Sequence, residues 1–286
     1  MDPFQRHIAL CNTTPLPPGL VPFIIGGAVV GWLLPPIVAA LRDAGAPIEA
    51  SNAGWALADT AAGPTAAMAG LAALLAARGL VTLRAEPFDI RATPAGPVLA
   101  TLDRGALPAF GIAAAGVHLN GLVRRPDGLH AWVGVRAASK PVAPGKLDNI
   151  VAGGIPAGLD AATTLVKEAA EEASLPVALA RQARPVGLIR YVMATEGGLR
   201  RDTLHCFDLE LPADITPRPN DGEVARFELW PVARLFEAVR DTDAVKFNVN
   251  LVLIDLFLRQ GLIDPGSAEG MALRAGLAGP LTQPLA

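Results

Sequence analysis

Cysteine is almost missing from this 286-residue chain: Cys11 and Cys206 stand far apart, with no CxxC or CxxH spacing around either. That excludes a thiolate zinc site and a disulfide framework, and it suits a reducing cytoplasm. An excess of positive charge is missing too. With 24 Lys and Arg against 27 Asp and Glu, the chain lacks the electrostatic footprint of a nucleic-acid binder. Residues 7–41 contain no Asp, Glu, Lys or Arg, and Leu20 to Leu41 is apolar enough to raise the question of a membrane helix. Pro22, Pro35 and Pro36, with Gly26, Gly27 and Gly31, would break such a helix where no water could bond the freed backbone groups. A buried strand, a turn and a helix are expected there instead. No basic segment leads into a short apolar core and a small-residue cleavage site, so a signal peptide is not expected either. The apolar fraction of 51% follows from abundant alanine, and no membrane partner is expected.

The length suggests two modules, each able to bury a core. Residues 1–115 read as a smaller α+β accessory domain, with Phe23 to Val30 strand-like and apolar helices near Pro36 to Asp43 and Thr65 to Arg78. Its few polar side chains form no cluster with metal-ligand or triad spacing, so it is expected to shape the substrate site or to dimerise. From residue 116 to 264 short strands alternate with Gly/Pro turns around a helix near Ala161 to Ala173, and a helix near Asn248 to Arg259 ends the unit. Residues 265–286 are rich in Gly, Pro and Ala and read as a flexible tail.

The chemistry concentrates in Gly153-Gly154-Ile155-Pro156-Ala157-Gly158, followed by Asp160 as a helix N-cap and then Lys167, Glu168, Glu171 and Glu172. At ~3.6 residues per turn, Glu168 lies beside both Glu171 and Glu172. Like charges at i and i+4 oppose helix formation by ~0.2–0.5 kcal/mol per pair, and Lys167 offsets only part of this. A hard divalent cation would offset the rest, because Mg²⁺ takes a few carboxylate oxygens together with water and phosphate oxygens. Glycines before the helix allow a tight turn and a close approach of loop to helix and ligand. Three acids on one helix are, taken alone, more often a solvated face.

The spacing changes that balance. Gly153, followed by Lys167-Glu168-Ala169-x-Glu171-Glu172-x-Ser174-Leu175, resembles the Nudix box. Four positions depart from its pattern: Leu159 for a Glu, Lys167 for an Arg, Ala169 as a small aliphatic, and Ser174 for a Gly. The Glu168, Glu171, Glu172 core is intact. Lys167 keeps a positive charge without the planar fork of Arg, while Leu159 removes a secondary metal or structural contact.

Further segments resemble one Nudix subgroup: Gly116-Val117-His118-Leu119-Asn120-Gly121, Lys140, Pro144 to Asn149, Val151 to Gly154, Asp208 to Pro212, and Asp221-Gly222-Glu223-Val224. Val21-Pro22-Phe23 and Val30-Gly31 match the domain that precedes it. The subgroup is related to the Nudix domains fused to thiamine pyrophosphokinases. The resemblance implies a Nudix-type α/β/α sandwich, Mg²⁺ as cofactor with Mn²⁺ as a substitute, and hydrolysis of damaged or oxidised thiamine diphosphate to the monophosphate.

In that scheme Glu168, Glu171 and Glu172 hold the metal, and Glu168 or Glu223 serves as general base with Lys167 beside the acids. Arg136, Lys140 and Lys146 lie upstream of the box, where they could meet phosphate oxygens, although basic residues beside strands are usually plain surface. Tyr191, Trp132 and His118 could contact a heterocycle, although each is more often a core or half-buried strand residue. Gly153 and Gly154 would border the substrate. The expected partner is a small-molecule diphosphate, with a homodimer as a further option. Competing readings are a nucleoside diphosphate derivative or an isoprenoid diphosphate as substrate, or a ligand-binding module without catalysis.

Overall fold

The computed structural model describes residues 2–279 as a mixed α+β fold. Its first segment contains α1 (Gln5–Cys11), β1 (Val21–Ile25), β2 (Ala28–Leu33), α2 (Pro35–Asp43), β3 (Ile48–Ser51), β4 (Gly54–Leu57), α3 (Gly63–Ala77), β5 (Pro87–Ile90) and β6 (Ala100–Asp103). The second contains β7 (Ala113–Arg125), β8 (Gly128–Arg136), β9 (Leu147–Asn149), β10 (Val151–Gly154), α4 (Ala161–Ala173) and α5 (Val177–Ala180). It continues through β11 (Arg184–Thr195), β12 (Gly198–Glu210), β13 (Val224–Pro231), α6 (Val232–Asp241), α7 (Val249–Arg259) and α8 (Ala268–Ala278).

The uncharged N-terminal stretch is a hairpin rather than one strand: β1 and β2 pair antiparallel, and Gly26 and Gly27 turn between them with φ of 57° and 80°. Pro35 then opens α2, where a missing backbone N–H costs nothing. Among the described residues no helix is long and apolar enough to cross a membrane.

β1 to β4 form a four-stranded sheet in the order β2-β1-β4-β3, and β5 and β6 form a separate hairpin. α2, α3 and both of these pack into one apolar cluster through Phe23, Leu41, Leu71, Phe88 and Leu102. The larger sheet runs β11-β12-β7-β8-β13, with β10 added to β7 and β9 to β8. Alternation along its strands gives it two buried faces. Val117 and Leu119 pack with Leu165, Ala169 and Ala173 of α4 on one face. Leu122, Val133 and Leu204 pack with α6, α7 and α8 on the other. The sheet is thus held between helical layers.

Two boundaries differ from the sequence reading. α1 belongs to the larger unit: Phe4, Ile8 and Cys11 are buried in the same cluster as Phe257, Leu273 and Leu277. The expected tail after residue 264 contains α8, with Ser267 capping it through the Gly270 N–H at 3.0 Å. Its small residues pack rather than fray. A side chain at Gly276 would come within 2.5 Å of Ile8, so the glycine lets α8 lie close on α1. The rest of that tail, residues 280–286, lies outside the described residues.

Candidate active site

α4 packs on β7 and β10 and so brings the box acids to the larger sheet. Asp160 caps it by accepting the Thr163 N–H at 2.7 Å, and Leu165, Ala169 and Ala173 bury its inner face at helical spacing. The helix ends at Ser174, which takes the left-handed φ of 54° usually left to glycine. That is where the box pattern has Gly, so the serine meets the same backbone demand; its hydroxyl also donates to the Arg218 carbonyl at 3.0 Å.

β10 supplies the opposite wall. A Cβ on Gly153 would sit 2.6 Å from the Glu168 carboxyl carbon, so the missing side chain is what admits Glu168. Glu172 is 6% exposed and accepts the Ala152 N–H at 2.9 Å. Burial pushes its carboxyl up to about 8; the Ala152 N–H opposes this, and the charges of Asp148, Glu168 and Glu223 add to it. Burial also raises Glu168, against the lowering effect of Lys167. Lys167 bonds both Glu168 at 3.2 Å and Glu171 at 2.6 Å, and its own ammonium is held above the ordinary lysine range, chiefly by Glu171.

The third wall is the loop before β13. Asp221 accepts the Glu223 N–H at 2.8 Å across a turn at Gly222, and Glu223 pairs with Lys140 at 2.6 Å. Its carbonyl accepts the Ala137 N–H at 2.9 Å. Glu172, Asp221 and Glu223 each present a carboxylate oxygen, and these oxygens lie within 4.8 Å of one another. All are hard oxygen donors, and among the described residues no cation pairs with the buried Glu172, so the set fits a hard divalent cation rather than a soft metal.

The cleft is lined by Arg136, Asp148, Asn149, Ala152, Glu172, Glu223 and Val224. Asp148 is buried between Arg136 at 2.6 Å and Lys246 at 3.0 Å. Burial opposes its ionisation, yet Lys246 and Arg136 hold the carboxyl below its ordinary range. Behind it, His118 meets Asn149 at 2.9 Å, Asn149 donates to Asn120 at 2.8 Å, and Asn120 donates to Asp208 at 2.9 Å, where Arg259 closes the chain at 3.1 Å. Burial lowers His118 to about 4, so it is neutral at pH 7.

The structure therefore brings Glu172, Glu223 and Arg136 to one cleft, with Lys140 paired to Glu223 and Glu168 lying against Gly153 beside it; Lys167 and Glu171 lie on the exposed face of α4. It does not bring the proposed aromatic contacts there. Tyr191 is 1% exposed, bonds Asp202 and packs edge-on to Phe247 in the core. Trp132 is half-buried beneath α4, its indole N–H without a partner. His118 faces inward at the foot of the polar chain. Lys146 lines a separate groove of about 480 Å³ with Arg226, Trp230 and Arg234. Gly154 faces Phe88 of the accessory hairpin: a Cβ there would lie 2.5 Å from its ring. Asp148 and Asp221 lie in segments that carry the subgroup resemblance, but the sequence alone assigns no role to either; Lys246, 98 positions from Asp148, has no signal.

No family model matches the chain. It is 40% identical over 205 residues to Nudix hydrolase 20, chloroplastic, of Arabidopsis thaliana, a match covering 71% of this chain and 55% of that protein. It is 36% identical over 253 residues to Nudix hydrolase 24, chloroplastic, of the same plant, covering 86% of this chain and 69% of that protein. The chain thus spans only about half the length of the first relative. A solved structure, DR0079 from Deinococcus radiodurans, shares 20% identity with a TM-score of 0.45, over 59% of this chain and 97% of its own. With identity above a third across most of its length, the chain belongs to the Nudix hydrolase family.

Proposed function

We propose that this protein is a Mg²⁺-dependent hydrolase that cleaves the diphosphate linkage of a small organic pyrophosphate, with damaged or oxidised thiamine diphosphate as the substrate and its monophosphate as the product. The observation that carries the reading is the carboxylate set of Glu172, Asp221 and Glu223 beside Glu168, with Arg136 and Lys140 at the same cleft. Glu172, Asp221 and Glu223, with Glu168 and Glu171 from the same helix, would hold the ion, and Mn²⁺ suits the same donors. When bound, it supplies charge neutralisation at the diphosphate.

The chain's own residues do the rest. Lys140, released from Glu223, and Arg136 at the cleft wall provide cationic donors for phosphate oxygens. Glu223, half exposed on its loop, or Glu168, against Gly153, accepts a proton from the attacking water. The α4–β10 contact fixes Glu172 through a backbone N–H, so the deepest carboxylate needs no reorganisation on binding. The thiamine assignment rests on the subgroup resemblance of the sequence segments, several of which, Asp148, Asn149, Gly153 and Glu223 among them, line or border the cleft. The reducing cytoplasm remains the proposed setting, in keeping with the buried free thiols of Cys11 and Cys206.

The test is phosphate-product release with Mg²⁺ from thiamine diphosphate, its oxo and oxy forms, ADP-ribose and isopentenyl diphosphate, for the wild type and Glu172→Gln. A monophosphate from a thiamine-type substrate, abolished by Glu172→Gln, supports the reading. Turnover of only ADP-ribose or isopentenyl diphosphate moves the substrate assignment, and binding without turnover favours a ligand-binding module.

A further inference from the structure

The loop that joins β10 to α4 is gripped by the accessory domain. The Ala157 N–H donates to the Pro87 carbonyl at 2.8 Å, and Gly158 N lies 3.4 Å from the Asp89 carboxylate. Phe88 fills the space that a side chain on Gly154 would need, and the Arg104 guanidinium carbon lies 3.5 Å from the same point. Adjacent glycines thus receive Glu168 at residue 153 and the Phe88–Arg104 pair at residue 154.

The base of the β5–β6 hairpin is built to hold two charged residues there. Asp103 accepts the backbone N–H groups of Arg84, Ala85 and Gly105 at 2.8 to 2.9 Å. Ala85 takes a left-handed φ of 57°, a conformation that non-glycine residues adopt only where the surroundings impose it. A Cβ on Gly105 would fall 1.9 Å from the Thr82 carbonyl oxygen, so only glycine fits there. Between these fixed points the Arg104 N–H bonds the Glu86 carbonyl at 2.8 Å, and their side chains pair at 2.9 Å. The Arg104 side chain keeps 51% of its surface exposed, and Glu86 is close enough to Glu168 to act on its charge. An exposed ion pair contributes little to folding, and the Arg104 guanidinium also lies 5.8 Å from the centre of the Phe88 ring.

We infer that the accessory hairpin completes the substrate site, with Arg104 as a specificity-determining cation that meets the part of the diphosphate substrate lying beyond the acidic helix. Arg104 exchanges its bond to Glu86 for phosphate oxygens, and its planar fork suits two of them at once. The assignment rests on the diphosphate reading above and adds to it a residue from the other domain.

The test uses the full chain with Mg²⁺ and the non-hydrolysable methylenediphosphonate, followed by calorimetry, beside turnover of whichever diphosphate the wild type cleaves. Arg104→Ala is expected to weaken diphosphonate binding by roughly ten- to a hundredfold, the loss for a charged hydrogen bond. KM should rise more than kcat falls, Arg104→Lys should recover part of the loss, and Mg²⁺ alone should bind as in the wild type. Wild-type affinity in Arg104→Ala overturns the inference while leaving hydrolysis untouched. So does a loss of binding accompanied by weaker Mg²⁺ binding and a lowered Tm, which would mark a merely structural residue. A wild type that fails to bind the diphosphonate also overturns it, whereas the hydrolase reading is judged separately by turnover.

Discussion

The Oε2 atom of Glu172 lies 2.9 Å from the backbone nitrogen of Ala152, so the deepest acid of the cleft is aimed by the strand that carries Gly153 and Gly154. Its carboxyl is raised from an ordinary 4.5 to about 8, because burial penalises the charged form. In the metal-free protein the fold then keeps a proton that the unfolded chain releases, and stability falls as pH rises from about 4.5 to about 8. Glu172→Gln removes this slope. It should leave Tm little changed near pH 4.5 and raise it at pH 8. Mg²⁺ should raise the Tm of the wild type at pH 8 and not that of the variant. Thermal melts across pH, with and without Mg²⁺, check both; a parallel Mg²⁺ response in the variant would remove Glu172 from the metal set.

Asp148 sits between two cations, Arg136 at 2.6 Å and Lys246 at 3.0 Å, all three largely buried. Asp148→Asn leaves both cations uncompensated, and breaking a buried pair in this way costs about 3–5 kcal/mol. The carboxyl is held below its ordinary value, so its contribution is present above the unfolded pKa and is lost as pH falls through the lowered one. Denaturant melts should show a clear destabilisation of Asp148→Asn at pH 7. Asp148→Asn combined with Lys246→Met should lose less than the two single changes added together, and strict additivity would mean the three groups do not act as a unit.

The parts of the molecule that were legible in sequence are those whose cause is local. The hydrophobic spacing of Leu165, Ala169 and Ala173 and the Asp160 cap announce α4 within 14 residues, and the box acids come with it. What stayed hidden depends on contacts between distant segments. Tyr191, the single tyrosine, invites a ligand-stacking role, but a strand residue's facing is fixed by register, and register turns it toward Phe247 and Asp202. α8 looked unable to pack because its residues are small; smallness is what lets Gly276 sit against Ile8. Asp148 and Lys246 meet only because β9 and the segment before α7 converge on the sheet.

Gly153→Ala tests the close approach of β10 to α4. Its Cβ would fall 2.6 Å from both Cγ and the carboxyl group of Glu168, so the Glu168 side chain must move. The fold should survive at a cost of about 1–3 kcal/mol, the range for an added group that displaces a packed side chain. Turnover should fall by more than the stability change implies, because Glu168 is displaced from its place beside Glu172. Crystallography of the variant and kcat at saturating Mg²⁺ check this; unchanged kcat would mean that Glu168 acts from a position that tolerates the shift.

Two carboxylates compete for the role of general base, and their surroundings predict different signatures. Glu223 pairs with Lys140 at 2.6 Å on a loop held by Asp221, and its side chain is 48% exposed. Glu168 is 17% exposed, raised by burial and bonded to Lys167 at 3.2 Å. Losing a general base costs about 10²- to 10⁴-fold in kcat, whereas losing one of several metal carboxylates acts first on the Mg²⁺ requirement. Glu223→Gln should therefore lower kcat with little change in Tm if Glu223 takes the proton. Glu168→Gln should then show mainly a raised Mg²⁺ concentration for half-maximal rate. The reverse pattern, a lowered kcat in Glu168→Gln with a raised Mg²⁺ requirement in Glu223→Gln, would assign the base to the helix and leave the loop acid, with Asp221, as a metal ligand.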